Sequence, residues 1–274
     1  MRFRPILISL VAAAHLGAQD ARDIISRSLA TDSRYDRESR NYTYRILNTS
    51  HDLDKAGNVR QSHTVLEEVM FLGGRRTSRV LEKDGKPLSP RDEKKEAEKL
   101  DRAFEEARKI TPDERQRREA EAERRRLRER ERLQDIPLAF DFKLLGEEII
   151  AGRQTWRIAA RPHPGYNGQY AFLLKNLEGT VWIDQRDYAW VKVEANVLNN
   201  ISIGLFLARV GKGSRLAFES TRINDQLWAP KHLALRMSGR VAVLKKLSAD
   251  EELDFSDYRK FRSDARIIPA AEDQ

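Results

Sequence analysis

Side chains able to do chemistry are sparse in this sequence, and their spacing excludes more than it supports. Beyond residue 18 there are four histidines: His51, His63, His163 and His232. A hairpin turning about Gly57 can set His51 opposite His63, and two imidazoles so placed can share a metal ion. No third ligand completes the set, because Asp52 and Asp54 read as solvated residues at the edge of a turn. Glu67 and Glu68 are neighbours in an alternating stretch, so their carboxylates point to opposite faces and cannot act as a paired acid and base. No serine occupies a G-x-S-x-G elbow, and no glycine-rich loop of the phosphate-binding type occurs. A protein with no catalytic residue, no metal and no cofactor is expected.

Two other features carry information. The run Arg124-Arg125-Arg126-Leu127-Arg128-Glu129-Arg130 lacks the interleaved aromatics that stack on bases, and glutamates offset much of its charge. A solvated helix face accounts for it, with contact to an anionic membrane surface or an acidic partner as the alternative. Nucleic acid is not an expected partner. The aromatics Tyr42, Tyr44, Phe71, Trp156, Trp182, Trp190, Phe218 and Trp228 recur along stretches that alternate like strands. They either form a packed core or line a hollow.

The elements that position them are mostly strands. Thr180–Asp184 and Tyr188–Val197 alternate on either side of Gln185-Arg186-Asp187, which predicts a β-hairpin. In its second strand Ala189, Val191, Val193, Ala195 and Val197 share a dry face, and Lys192, Glu194 and Asn196 a wet one. One dry and one wet face suit a single antiparallel sheet curled around something apolar. Strands are also predicted at Tyr42 to about Leu53, Val59–Leu72, Arg75–Lys83, Phe140–Ile150, Gln154–Arg161, Ser214–Ile223, Lys231–Val243 and Glu252–Arg259, about ten in all. Asp54–Asn58, Gly73-Gly74, Asp84-Gly85 and Ala151-Gly152-Arg153 are the turns between them. Asp20–Leu29 has the spacing of a short amphipathic helix. Residues 89–135 form a charged two-helix insertion: Ser89-Pro90-Arg91-Asp92 and Thr111-Pro112-Asp113-Glu114 each place a hydroxyl cap, a proline and an acid where a helix begins. Leu100, Ala103, Phe104, Ala107 and Ile110 stripe the first of these helices, which can dock on the sheet or lie over its opening. The second has almost no apolar stripe.

Composition sets the compartment. Met1–Ala18 reads as a cleaved signal peptide: Arg2 and Arg4, an apolar run from Pro5 to Leu16, then small residues before Gln19. Gln19 is not a cysteine, so no lipid anchor is expected, and residues 19–274 form one exported, soluble, periplasmic domain. The chain has no cysteine, so its core holds the fold without disulfides. The formal charge of +8 suits the neighbourhood of anionic headgroups in such a compartment.

The stretches Gly179-Thr180-Val181-Trp182-Ile183-Asp184, Tyr188 through Val191-Lys192-Val193-Glu194, and Asn224-Asp225-Gln226-Leu227-Trp228-Ala229-Pro230-Lys231 resemble the outer-membrane lipoprotein-sorting superfamily, the Lol-type periplasmic carriers and their envelope-sensor relatives. The likeness covers residues 138–260 by motif and 20–85 by general pattern. It implies a mainly β (α+β) fold: an antiparallel, curved, unclosed β-barrel around an apolar cavity, with helices as a lid, that shields acyl chains. The expected partner is then a lipid or the acyl chain of a lipoprotein. Strand phase nominates Tyr44, Ile46, Val69, Phe71, Trp156, Val191, Val193, Phe218, Leu233 and Leu235 as lining residues, and Ile203, Leu205 and Phe206 as a movable flap. The alternatives are an envelope scaffold or stress-sensor module that binds another protein through residues 89–133, and a hydrolase whose site the sequence does not display. Oligomeric state stays open.

Overall fold

The computed structural model describes residues 12–54, 58–203, 208–225, 227–241 and 245–260. Helix α1 spans Ala12–Ser39, far longer than the ten residues expected. Its buried stripe, Ala21, Ile24, Ile25, Ser28 and Tyr35, keeps helical spacing across the polar stretch that hides it in the sequence. Tertiary burial of Tyr35 extends the helix where local pattern falls silent. The helix begins inside the segment expected to be cleaved, and Met1–Val11 lies outside the described residues.

The strands are β1 (Tyr42–Leu53), β2 (Val59–Leu72), β3 (Arg75–Lys83), β4 (Lys86–Pro87), β5 (Phe140–Ile150), β6 (Arg153–Pro162), β7 (Leu177–Asp184), β8 (Trp190–Val197), β9 (Ile201–Ile203), β10 (Ala208–Val210), β11 (Arg215–Ile223), β12 (Leu227–Val241) and β13 (Lys245–Lys260). Eleven of them make one antiparallel, curved, unclosed sheet in the order β4-β3-β2-β1-β13-β12-β11-β8-β7-β6-β5. The β9–β10 hairpin joins it through β12. Most pairings are between chain neighbours, because two-residue turns reverse the chain tightly. Gly73-Gly74 (φ 54° and 79°) and Ala151-Gly152 (φ 49° and 77°) take the left-handed pair that matches strand twist.

Directly opposed residues share a face of a sheet. Ile158, Val181, Val193, Phe218, Leu233, Leu253, Asn48 and Val65 therefore form one row across eight strands, with Asn48 its one polar member. This is the inner face. Helix α1 lies on it, packing Ala21, Ile24 and Ile25 against Phe140, Phe142, Ile158, Val181 and Ile183. No helix among the described residues is long and apolar enough to cross a membrane.

The insertion forms as its caps dictate. Helix α2 spans Pro90–Lys109 and α3 Pro112–Gln134, with Ser89 Oγ accepting the Asp92 N–H and Thr111 Oγ1 the Glu114 N–H, each at 3.2 Å. Leu100, Ala103, Phe104 and Ala107 pack on Met70 and Leu72, so α2 docks on the outer face rather than over the opening. Glu96 accepts the Val80 N–H at 3.0 Å and so satisfies a donor on β3 in the stretch that β4 does not pair with. Helix α3 then runs to Asp135, the short helix α4 (Ile136–Ala139) and β5, at the other end of the strand order. Its 23 residues, about 35 Å of helix, carry the chain from α2 at the β2–β3 end of the sheet to β5 at the other.

Candidate functional site: an aromatic hollow beside the first helix

The inner face is filled unevenly. Over β5–β8 the N-terminal part of α1 closes it. There Trp156 and Val193, both nominated as lining, pack into the buried cluster under the helix. Two contacts latch α1 at the edge of this filled region. The Trp190 indole donates to the fully buried Ser28 Oγ at 2.7 Å. Arg27 donates to the Tyr188 hydroxyl at 3.3 Å and sits 5.5 Å from its ring centre.

Past that boundary, between the C-terminal end of α1 and strands β1, β2, β8, β11, β12 and β13, lies a cavity of about 300 Å³. Its rings are Tyr35, Tyr44, Phe71, Trp190, Phe218, Trp228 and Tyr258; Ser39, Ser220, Ala189, Ala229 and Pro230 complete the wall. Among the described residues no charged side chain lines it. Tyr44 stacks on Tyr258 with ring centres 5.2 Å apart. The Tyr258 hydroxyl donates to the Pro230 carbonyl at 2.6 Å, and burial, with Tyr44 beside it, pushes its pKa far above the ordinary phenol value. It stays neutral at any physiological pH.

Of the nominated lining residues, Tyr44, Phe71 and Phe218 meet on this cavity. Ile46 and Val69 are buried on the same face without reaching its wall. Leu233 and Leu235 lie half-buried in inner-face rows beside Phe218 and Leu216. Val191 does not fit the expected alternation. The β7–β8 register shifts after Trp182, so that Lys192 faces Trp182 while Trp190 faces Ile183. Val191 is the extra residue, and it packs with Ala189, Leu227 and Trp228 in a separate buried cluster. The same bulge turns Trp190 inward, against the phase predicted for it. Ile203 ends β9, while Leu205 and Phe206 of the expected flap lie outside the described residues.

Tyr35, Ser39, Trp190, Ser220, Trp228 and Tyr258 escaped nomination. Trp228 carried a signal, standing in the W-x-P element that opens β12. Tyr35 lay beyond the expected end of α1, and Trp190 needed the bulge.

Behind the Trp228 wall is a charged clamp. Asp184, 1% exposed, takes two hydrogen bonds from Arg153 at 2.5 and 2.8 Å and accepts the N–H groups of Arg186 and Asp187 at 3.0 and 2.7 Å. Arg153 also reaches Asp187 at 3.0 Å; that carboxylate accepts the Trp228 indole N–H at 3.0 Å, and the guanidinium lies 5.3 Å from the Trp228 ring centre. Burial alone would raise the Asp184 pKa. Arg153 and the two backbone donors outweigh it and hold the carboxyl below its ordinary value. The clamp fixes the β7–β8 turn and the plane of Trp228.

The histidines do not converge. Register places His51 against Ser62, with His51 Nδ1 and Ser62 Oγ 2.7 Å apart, and His63 against Ser50. The two imidazoles are thus on opposite faces, so the pair that a turn about Gly57 could have made does not form; His63 lies 3.5 Å from Asp84 instead. His163 and His232 meet Asp141 at 2.9 Å and Asp254 at 2.7 Å. Among the described residues no group of three His, Cys, Asp or Glu is placed to hold a metal ion.

No family model and no curated protein matches the sequence. Similar solved structures exist. A putative outer membrane lipoprotein-sorting protein domain from Vibrio parahaemolyticus is 12% identical, with 91% of this chain and 95% of that chain covered, at a TM-score of 0.38. A DUF1329 family protein from Desulfovibrio piger is 11% identical over 89% and 93% of the two chains, at 0.34. A LolA superfamily protein from Nitrosomonas europaea is 10% identical over 85% and 93%, at 0.31. The chain is similar to these proteins, and its own strand order and register establish the fold described above.

Proposed function

We propose that this is an exported, non-enzymatic protein of the cell envelope that binds the acyl part of a lipid or lipoprotein in the aromatic hollow. One observation carries the reading: a cavity of about 300 Å³ walled by seven aromatic side chains, with no charged side chain on it among the described residues. Such a space repels ions and rewards hydrocarbon, each buried methylene contributing ~0.8 kcal/mol. Affinity then comes from burial, with no specific polar contact needed. The formal net charge, +8 for the whole chain and +6 once Arg2 and Arg4 leave with the signal peptide, favours approach to anionic headgroups, where such a guest is found.

Delipidated protein titrated with a fluorescent fatty acid tests this. Saturable binding that Phe218→Asp abolishes, with the fold retained by circular dichroism, is the expected result. Absence of saturable binding to the wild type refutes it.

A second reading rests on a different surface. Helix α3 presents exposed arginines at 124, 125 and 128, away from the hollow, and these suit an acidic partner protein. A binding partner lost on deleting residues 89–133, with fatty-acid binding never observed, would favour a scaffold or sensor.

A further inference from the structure

We infer that the hollow takes a single unbranched chain to a depth of about ten carbons and excludes a bundle of chains. This rests on the acyl-binding reading and adds a length and a number to it.

The first ground is volume. A methylene fills about as much space as one water molecule in the liquid, roughly 30 Å³, so a cavity of about 300 Å³ accommodates some ten of them. The second ground is the boundary. Over β5–β8 the inner face is occupied by Ala21, Ile24 and Ile25, so a guest cannot spread towards those strands unless α1 leaves. That helix is held at the cavity edge by Ser28 on Trp190.

The third ground is stiffness. Three wall rings are pinned by their polar atoms: Trp190 to Ser28, Trp228 to Asp187 and Tyr258 to the Pro230 carbonyl. Among the described residues the wall has no methionine or other long flexible side chain that could repack around a larger guest. A hollow of fixed rings sets a sharp limit, whereas an adaptable one would blur it. With no charged side chain on the described wall to meet it, a polar headgroup remains at the mouth, and carbons beyond the limit stay in water and add nothing.

The test is a displacement titration of the full, delipidated protein with straight-chain primary alcohols from hexanol to hexadecanol, against a bound fluorescent probe. Affinity rises about fourfold per added methylene up to about decanol and then levels to less than twofold per carbon. Ser39→Leu, at the half-exposed end of α1 on the cavity wall, moves the break to shorter chains by about two carbons. A continued fourfold gain through hexadecanol, or tighter binding of a two-chain glyceride than of the matching single chain, overturns the length limit and leaves the acyl reading standing. Failure of every alcohol to displace the probe, or of the probe to bind, removes the acyl reading as well.

Discussion

Replacing Asp184 by asparagine probes the clamp that holds the Trp228 wall. Breaking a buried ion pair by removing one partner costs about 3–5 kcal/mol, because the other charge is left uncompensated. Here the surviving guanidinium is 24% exposed and keeps Asp187 as a partner, while an asparagine oxygen still accepts the turn N–H groups. Those residual contacts lower the expected loss to about 2–3 kcal/mol. For a domain of this size that is a fall in Tm of about 5–10 °C at neutral pH. The pH dependence separates the ion pair from mere packing. A carboxyl held below its ordinary value contributes stability that is complete above the unfolded pKa, near 4, and is lost as pH falls through the lower folded value. Asparagine does not titrate there, so the gap between wild type and variant narrows on acidification below about pH 4. Scanning calorimetry of both proteins from neutral pH downward measures this directly. A variant as stable as wild type at neutral pH, or a gap that stays constant into acid, would refute the electrostatic account of the clamp.

Two further experiments test how the helices are seated. Gly73 has φ +54°, and a Cβ there would lie 2.3 Å from Ile110 Cδ1. Gly73→Ala should therefore cost about 1–3 kcal/mol in urea unfolding, the sum of left-handed strain and overpacking. Ile110→Val deletes the clashing methyl, so the double variant should recover part of that loss, and strict additivity of the two changes would contradict the contact. Ser28→Ala leaves the Trp190 indole N–H without its acceptor and should cost about 1–2 kcal/mol. Amide exchange in α1 should accelerate more than in β6 and β7; uniform acceleration throughout would show that Ser28 does not latch the helix.

Much of the frame is legible locally. The ends of β1, β2 and β3 follow from two-residue alternation and from turn residues that tolerate positive φ, such as Gly73 and Gly74. The starts of α2 and α3 follow from Ser89 and Thr111, whose hydroxyls satisfy the N–H three residues on. The inner phase of Tyr44, Phe71 and Phe218 is equally local, because alternation commits a whole strand at once. The same commitment is why β8 misled: one extra residue at Val191 reverses the phase and carries Trp190 into the cavity wall, and nothing nearby in the sequence announces it. Whether His51 meets His63 depends on interstrand register, which is settled by all the pairs along two strands together. The extent of the hollow is the least local property of all. It depends on how far α1 reaches across the inner face, and the apolar contacts that hold α1 there come from strands more than a hundred residues away. Periodicity states which side chains seek shelter from water; only packing in three dimensions decides which of them find it against each other and which are left around a space.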